Sequence, residues 1–318
     1  MTVFITGATG DLGRVLVREL VRHGVAMRLL VQRDSNRAGL ELPGVEFVRG
    51  ELSEPVTVRK GMTGCDAVLH LAAVGRHPGD GEAWRVALEG SQALLQAALE
   101  MRMSSVVLVN ELTVLGPTRD NEALDETSIS PTTPFETLVR EYADKGVGVK
   151  AVYAGMGYGC VRAPGHGGLA EHTLLRLAAG KSLPVPGNGR NPLALGYFKD
   201  TVQGILLAHA QGRSGQSYIL AGEAVTWPEF LEMAAEIVGQ EPPRQRMPLW
   251  WMRLTAALPA DVLAWAGREW RYRSDKARLE LGWRPVSIQD GLAETWNDYQ
   301  ALGWGARAGS PLRVMRRA

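Results

Sequence analysis

The chain has 318 residues, with 35 Lys+Arg against 34 Asp+Glu for a formal charge of +1, and 45% of its residues are hydrophobic. That length allows about two domains and a sizeable core, and the composition excludes a disordered chain and a collagen-like repeat. Near-zero charge with both signs interspersed argues against a nucleic-acid binder, and only the tail at Arg307, Arg313, Arg316 and Arg317 breaks the balance.

In chain order, apolar runs of strand length fall at Thr2–Thr6, Ala26–Gln32, Val45–Arg49, Ala67–Leu71, Val106–Val109 and Val149–Tyr153. Each reads as a strand buried on both faces. Helical patterns at Asp11–His23, Pro55–Met62, Ala83–Met101 and Pro134–Lys145 fill the gaps and can cross over between parallel strands. The alternation predicts an α/β doubly wound parallel sheet, a Rossmann fold. After Gly159 the texture becomes Gly/Pro-rich, with a helix at Leu169–Ala179 and mostly helices beyond it, which reads as a smaller, mostly helical substrate lobe. The predicted boundaries are 1–160 for a dinucleotide-binding domain and 161–306 for the lobe, interleaved with late Rossmann elements at about 194–222, then a basic tail at 307–318.

The two cysteines, Cys65 and Cys160, cannot build a structural zinc site, and lone thiols that far apart give no reason to expect a disulfide framework. The opening MTVFITGATG has no basic region followed by a long apolar stretch, so no signal peptide is expected and the expected compartment is the cytoplasm. No window offers the roughly 18 uninterrupted apolar residues of a membrane span.

The strongest motif is Thr6-Gly7-Ala8-Thr9-Gly10-Asp11-Leu12-Gly13, placed between the first strand and the first helix. Gly7 can turn tightly off the strand, Gly10 lets backbone approach a pyrophosphate, and Gly13 lets the helix pack close with its N–H groups facing the anion. Gly7, Thr9, Gly10, Asp11, Leu12 and Gly13 are therefore cofactor-binding candidates. About 20 residues further on, such folds place an acid that accepts from the adenosine ribose. Here the second strand ends Val31-Gln32-Arg33-Asp34. Gln32 stands at the acid's position, and Arg33, with Arg37 as a second partner, can pair with a 2′-phosphate, which favours NADP over NAD.

With these motifs in place, the sequence resembles the extended short-chain dehydrogenase/reductase family, particularly its dihydroflavonol-reductase-like and sugar-epimerase-like members, over almost the whole chain. Gly50-Glu51-Leu52-Ser53 is similar to the family's adenine-holding G-D-L-x segment, and His70-Leu71-Ala72-Ala73 to the fourth-strand motif that lines the cofactor. The resemblance thus adds Glu51, Leu52, Leu71, Ala72 and Ala73 to the cofactor candidates. Val114-Leu115-Gly116, Tyr158-Gly159, Tyr197-Phe198-Lys199-Asp200-Thr201 and Leu281-Gly282-Trp283-Arg284-Pro285 resemble later family segments. What the resemblance implies is hydride transfer between a nicotinamide and a carbonyl or alcohol, served by Ser/Thr, Tyr and Lys.

Those three positions read Glu111, Phe135 and Val139 here. Phe135 has no hydroxyl and Val139 no ammonium, so the usual relay cannot operate. The alternative register, Tyr142 with Lys145, has spacing three and lies roughly 10 Å along the helix. Ala87 and Tyr153-Ala154 also depart from common family residues.

Two catalytic candidates remain. Glu111 would sit near the nicotinamide partly out of water, where burial raises a carboxyl's pKa toward neutrality. Tyr158 follows the sixth strand at the nicotinamide end. His77, His166 and His172 fall in segments that in this fold rim the substrate cleft, Arg162 and Arg190 are candidates for an anionic substrate, and no histidines have metal-ligand spacing on one helix, so no metal is expected. Of nine tryptophans, all but Trp84 lie between Trp227 and Trp304. They cover a sheet end or line a pocket for an apolar substrate. The stretch from Leu249 to Trp270 either packs into the core, caps a pocket or touches a membrane surface.

The main expectation is an NADP-binding oxidoreductase with a non-standard acid/base set, acting on a small, apolar metabolite. A non-catalytic NADP-binding redox sensor or regulator is the alternative, and a sugar-nucleotide epimerase or dehydratase the third. The helices Ala83–Met101 and Pro134–Lys145 correspond to those that pair subunits in many family members, so the resemblance also implies a homodimer.

Overall fold

The computed structural model describes residues 1–71, 81–163, 166–181, 183–255, 258 and 260–304. Its first half alternates strand and helix: β1 (Thr2–Thr6), α1 (Asp11–Arg22), β2 (Ala26–Val31), β3 (Val45–Arg49), α2 (Pro55–Met62), β4 (Ala67–His70), α3 (Glu82–Glu100), β5 (Val106–Glu111), α4 (Pro134–Asp144) and β6 (Val149–Ala154). There follow β7 (Met156–Ala163), β8 (His166–Gly167), α5 (Gly168–Ala178), β9 (Val185–Pro186), β10 (Pro192–Tyr197), α6 (Phe198–Gln211), β11 (Ser217–Leu220) and β12 (Ala224–Thr226). The chain continues through α7 (Trp227–Val238), β13 (Arg246–Met247), α8 (Leu249–Thr255), α9 (Ala260–Ala266), α10 (Asp275–Glu280) and α11 (Ile288–Ala301).

Seven strands form one parallel sheet in the order β11-β6-β5-β4-β1-β2-β3. This is the predicted doubly wound architecture. Strand order reverses between β1 and β4, and such a switch point opens a crevice at the carboxyl ends of the strands. The pleat explains how both faces are covered. Val3 and Ile5 pack with Leu16 and Val17 of α1, whereas Phe4 between them points the other way onto Val58, Met62 and Leu94 of α2 and α3. Each such side chain, fully removed from water, contributes roughly 1.5–3 kcal/mol.

A second, four-stranded sheet, β12-β10-β7-β8, and the short pair β13-β9 carry the later elements. Most of the C-terminal tryptophans act as packing: Trp227, Trp270 and Trp283 are buried, and Trp283 donates its Nε1–H to the Asp200 carbonyl at 2.8 Å. The same Asp200 accepts the Val286 N–H on Oδ2 at 2.9 Å, so the L-G-W segment is clamped to the start of α6.

The outer edge of β11 is bonded to side chains. The Ile219 N–H donates to Glu126 Oε1 at 2.8 Å, the Ala221 N–H to Ser274 Oγ at 3.1 Å, and Lys276 Nζ donates to the Ser217 carbonyl at 2.9 Å. Ser274 Oγ in turn donates to the Ala221 carbonyl at 2.9 Å.

Candidate active site

The crevice at the switch point is a cleft of about 410 Å³. One end is built by the glycine loop. Gly7 leaves β1 with φ +74°, a left-handed conformation open to glycine at little cost, and Gly10 caps α1. A Cβ on Gly13 would meet the Gly7 carbonyl oxygen and lie 2.6 Å from the Ala8 Cα, so only glycine lets α1 approach its own loop this closely. A Cβ on Gly10, by contrast, would find only the Gly7 carbonyl, at 3.5 Å, and would project into the space a ligand needs. Gly7, Gly10, Asp11, Leu12, Gly13 and Leu71 all line the cleft. Open space beside the N-terminus of a helix is the cradle that a dinucleotide pyrophosphate requires, so these residues fit the group.

Arg14 holds this end in shape and was not singled out by sequence. Its buried guanidinium donates to three carbonyls: Thr9 at 2.9 Å, Asn36 at 2.7 Å and Ala38 at 2.6 Å. Burial depresses its pKa, with Asp11 acting in the opposite direction. One side chain therefore ties the glycine loop to the loop after β2. That second loop carries Arg33, which is exposed, and Arg37, whose guanidinium lies over the Phe47 ring at 5.3 Å. Glu51 is exposed just past β3, and Leu52 packs beside Gly90 of α3. Ala72, Ala73 and His77 lie outside the described residues, as does the basic tail at 307–318.

At the far end, Glu111 closes β5 and lines the cleft, half-buried, with Thr113 Oγ1 donating to its Oε2 at 3.2 Å. Among the described residues, Glu111 and Asp11 are the ionisable groups lining it. The cleft lining also includes the apolar Met156, Leu169, Phe198, Val262 and Trp265, with Thr201. These residues come from four separate segments. Phe198 and Thr201 were signalled by the motif that starts at Tyr197, and Val262 and Trp265 by the Leu249–Trp270 stretch read as one that could cap a pocket, whereas Met156 and Leu169 carried no signal.

Tyr158 is not brought to the cleft. Alternation along β7 turns it away from the cleft-lining Gly157, and it is 1% exposed, with its ring 5.3 Å from that of Tyr197 and its hydroxyl against Gly291. Desolvation there pushes its pKa far above the usual phenol value. Phe135 and Val139 are fully buried, and Phe135 meets Trp84 edge to face at 5.2 Å. Tyr142 reaches instead toward Gln96 of α3, at 3.4 Å, and Lys145 pairs with Glu141 on the same helix. Of the cationic candidates, Arg162 lies 3.5 Å from Asp298 in a separate groove and Arg190 is exposed, and neither lines the cleft.

His70 has no access to solvent. Ser91 Oγ donates to the Ala87 carbonyl at 2.7 Å, so it must accept the 2.8 Å bond from His70 Nε2–H, which leaves Nδ1 to accept from Thr6 Oγ1 at 2.6 Å. Burial lowers the His70 pKa to about 4, so the ring is neutral. Among the described residues no cluster of three or more His, Cys, Asp or Glu could hold a metal.

A Rossmann sheet whose switch-point crevice pairs a glycine loop with an apolar chamber is the architecture of the extended short-chain dehydrogenases/reductases. The chain belongs to the NAD dependent epimerase/dehydratase family, whose model matches residues 3–221. It is 29% identical to a 4-hydroxy-2-methyl-3-oxo-4-farnesyl-3,4-dihydroquinoline-1-oxide ketoreductase of Stigmatella aurantiaca, covering 92% of this chain and 95% of that one. It is 28% identical to sterol demethylase protein B of Methylococcus capsulatus, covering 92% and 97%. Among solved structures it is similar to a double mutant of a dTDP-glucose 4,6-dehydratase from Streptomyces venezuelae with NAD bound, at 25% identity and a TM-score of 0.73 over 97% of this chain and all of that one.

Proposed function

We propose that the protein is an NADP-dependent oxidoreductase acting on a carbonyl or alcohol of a small, apolar metabolite, with Glu111 handling the proton. The observation that carries this reading is a single cleft lined by the glycine loop, by the Glu111 carboxylate and by the apolar side chains of Met156, Leu169, Phe198, Val262 and Trp265. The bound nicotinamide would supply or accept the hydride. Gly7, Gly10 and Gly13 would hold the pyrophosphate, while Leu71, with Ala72 and Ala73, would flank the dinucleotide. Glu51 and Leu52 would meet the adenine. Arg33 beyond β2 supports 2′-phosphate recognition, because Gln32 offers no carboxylate to repel it. Met156, Leu169 and Trp265 would exclude water and favour hydrocarbon around the reacting oxygen. Two relatives bear names that include a farnesyl group and a sterol, in keeping with an apolar substrate.

A second reading, a non-catalytic NADP-binding regulator, is favoured by one observation: the usual Tyr and Lys positions are filled by Phe135 and Val139, both sealed in the core. Titration with NADP⁺, NADPH, NAD⁺ and NADH separates the readings. Tight NADPH binding, weak NADH binding and ketone reduction lost in Glu111→Gln are expected. Unchanged turnover in Glu111→Gln would remove the proton role, and no binding of any dinucleotide would end both readings.

A further inference from the structure

Helix α8 presents three large apolar side chains to water. Trp250 is 66% exposed, Trp251 44% and Leu254 74%, and the two indoles meet edge to face at 5.3 Å. The helix itself is anchored, because Met252 is fully buried and Leu249 packs against the turns at Gly187 and Gly267. Packing of α8 itself therefore does not account for the outward-facing trio.

The segment that carries the helix is basic between Glu241 and Asp261. From Pro242 to Leu258 the sequence holds Arg244, Arg246 and Arg253 and no Asp or Glu, in a chain whose total charge is only +1. All three arginines are exposed, and so are Arg190 and Arg268, which follow the two turns that Leu249 touches. Two exposed indoles with a leucine, in a segment that also carries exposed arginines, match the chemistry of an anionic bilayer surface: indoles settle at the headgroup level, leucine enters the acyl boundary and guanidinium groups pair with lipid phosphates.

We propose that the protein docks peripherally on anionic membranes through α8. No helix among the described residues is long and apolar enough to cross a membrane, so the attachment is to the surface. Its position gives it a role. Helix α8 packs on α9, and α9 contributes Val262 and Trp265 to the wall of the cleft. Docking therefore sets the apolar end of the cleft one helix layer from lipid. The inference stands on α8 alone and does not depend on the cofactor assignment.

The test is co-sedimentation of the full chain with vesicles of phosphatidylcholine alone or mixed with phosphatidylglycerol, together with quenching of tryptophan fluorescence by brominated lipid. Binding only to the phosphatidylglycerol vesicles, weakened by salt, is expected. Trp250→Ser with Trp251→Ser, and separately Arg244→Glu with Arg246→Glu, should each lower partitioning roughly tenfold or more while thermal unfolding stays unchanged. No sedimentation with phosphatidylglycerol vesicles at low salt overturns the proposal, and so does equal binding by the tryptophan variant. It is equally overturned if the wild type is a dimer in solution that Trp250→Ser with Trp251→Ser dissociates, since a second copy would then cover the patch.

Discussion

Thr6 and His70 join the carboxyl ends of β1 and β4 through a 2.6 Å bond between the threonine hydroxyl and Nδ1 of a fully buried imidazole. These ends flank the switch point, so the bond fixes the root of the glycine loop.

That arrangement predicts acid sensitivity. His70 is held near 4 in the folded chain against an ordinary 6.5, so the unfolded chain takes up the proton first. Stability is complete above about 6.5 and falls as the pH drops toward about 4, by up to roughly 3 kcal/mol. Urea unfolding across this range should show the slope, and His70→Phe should flatten it while lowering stability throughout, because Thr6 and Ser91 lose their partner.

Asp200 works in the opposite sense. Burial lifts its carboxyl to about 6 from 3.8, only partly offset by the Val286 N–H, so the folded chain protonates first and stability declines as the pH rises between those values. Asp200→Asn keeps an acceptor for Val286 and removes the buried charge. It should raise stability by about 1–2 kcal/mol at pH 8, with the gain vanishing toward pH 4.

The two glycines of the loop should separate binding from folding. Gly10→Ala fits the protein but intrudes on the cleft, so it should leave the melting temperature nearly unchanged and weaken dinucleotide binding at least tenfold. Gly13→Ala, which collides with Ala8, should lose both. Calorimetric titration beside thermal unfolding reads the difference.

Arg14→Met should leave the Thr9, Asn36 and Ala38 carbonyls without their donor and lower stability by about 2–4 kcal/mol. Arg14→Lys should not rescue it, since an ammonium cannot span three carbonyls set by a planar fork. Chemical denaturation measures both.

Rebuilding the usual Tyr/Lys pair should fail structurally before its chemistry can be read. Val139 has no solvent access, so Val139→Lys places an ammonium in hydrocarbon and should lower stability by about 3 kcal/mol or more. Phe135→Tyr adds only a hydroxyl beside Trp84 and should be milder. Denaturation midpoints of the two single variants give the comparison.

The strands and helices of the first half were legible because a parallel sheet demands continuous apolar runs, and ends differ by one or two residues where runs fray, as at Val31. The glycine loop was legible because its spacing is local. Arg14 was not: a lone arginine on a helix reads as solvated, and only the fold brings residues 36 and 38 within its reach. The apolar lining was legible only in pieces for the same reason: Phe198 and Trp265 each carried a local signal, but they meet Met156 and Leu169 only in space. Tyr158 misled because a motif names a residue without saying which face of its strand it occupies. The tryptophan cluster divided, with Trp227, Trp270 and Trp283 going to the core and Trp250 and Trp251 to the surface.

The bonds along the free side of β11 bear on self-association. A terminal strand with idle amides invites a strand from another molecule, the route to runaway β-assembly. Glu126, Ser274 and Lys276 bond to the Ile219 and Ala221 amides and to the Ser217 and Ala221 carbonyls, so an incoming strand would compete with a carboxylate, a hydroxyl and an ammonium for those groups. Extension of the sheet by a second copy is therefore disfavoured at this margin.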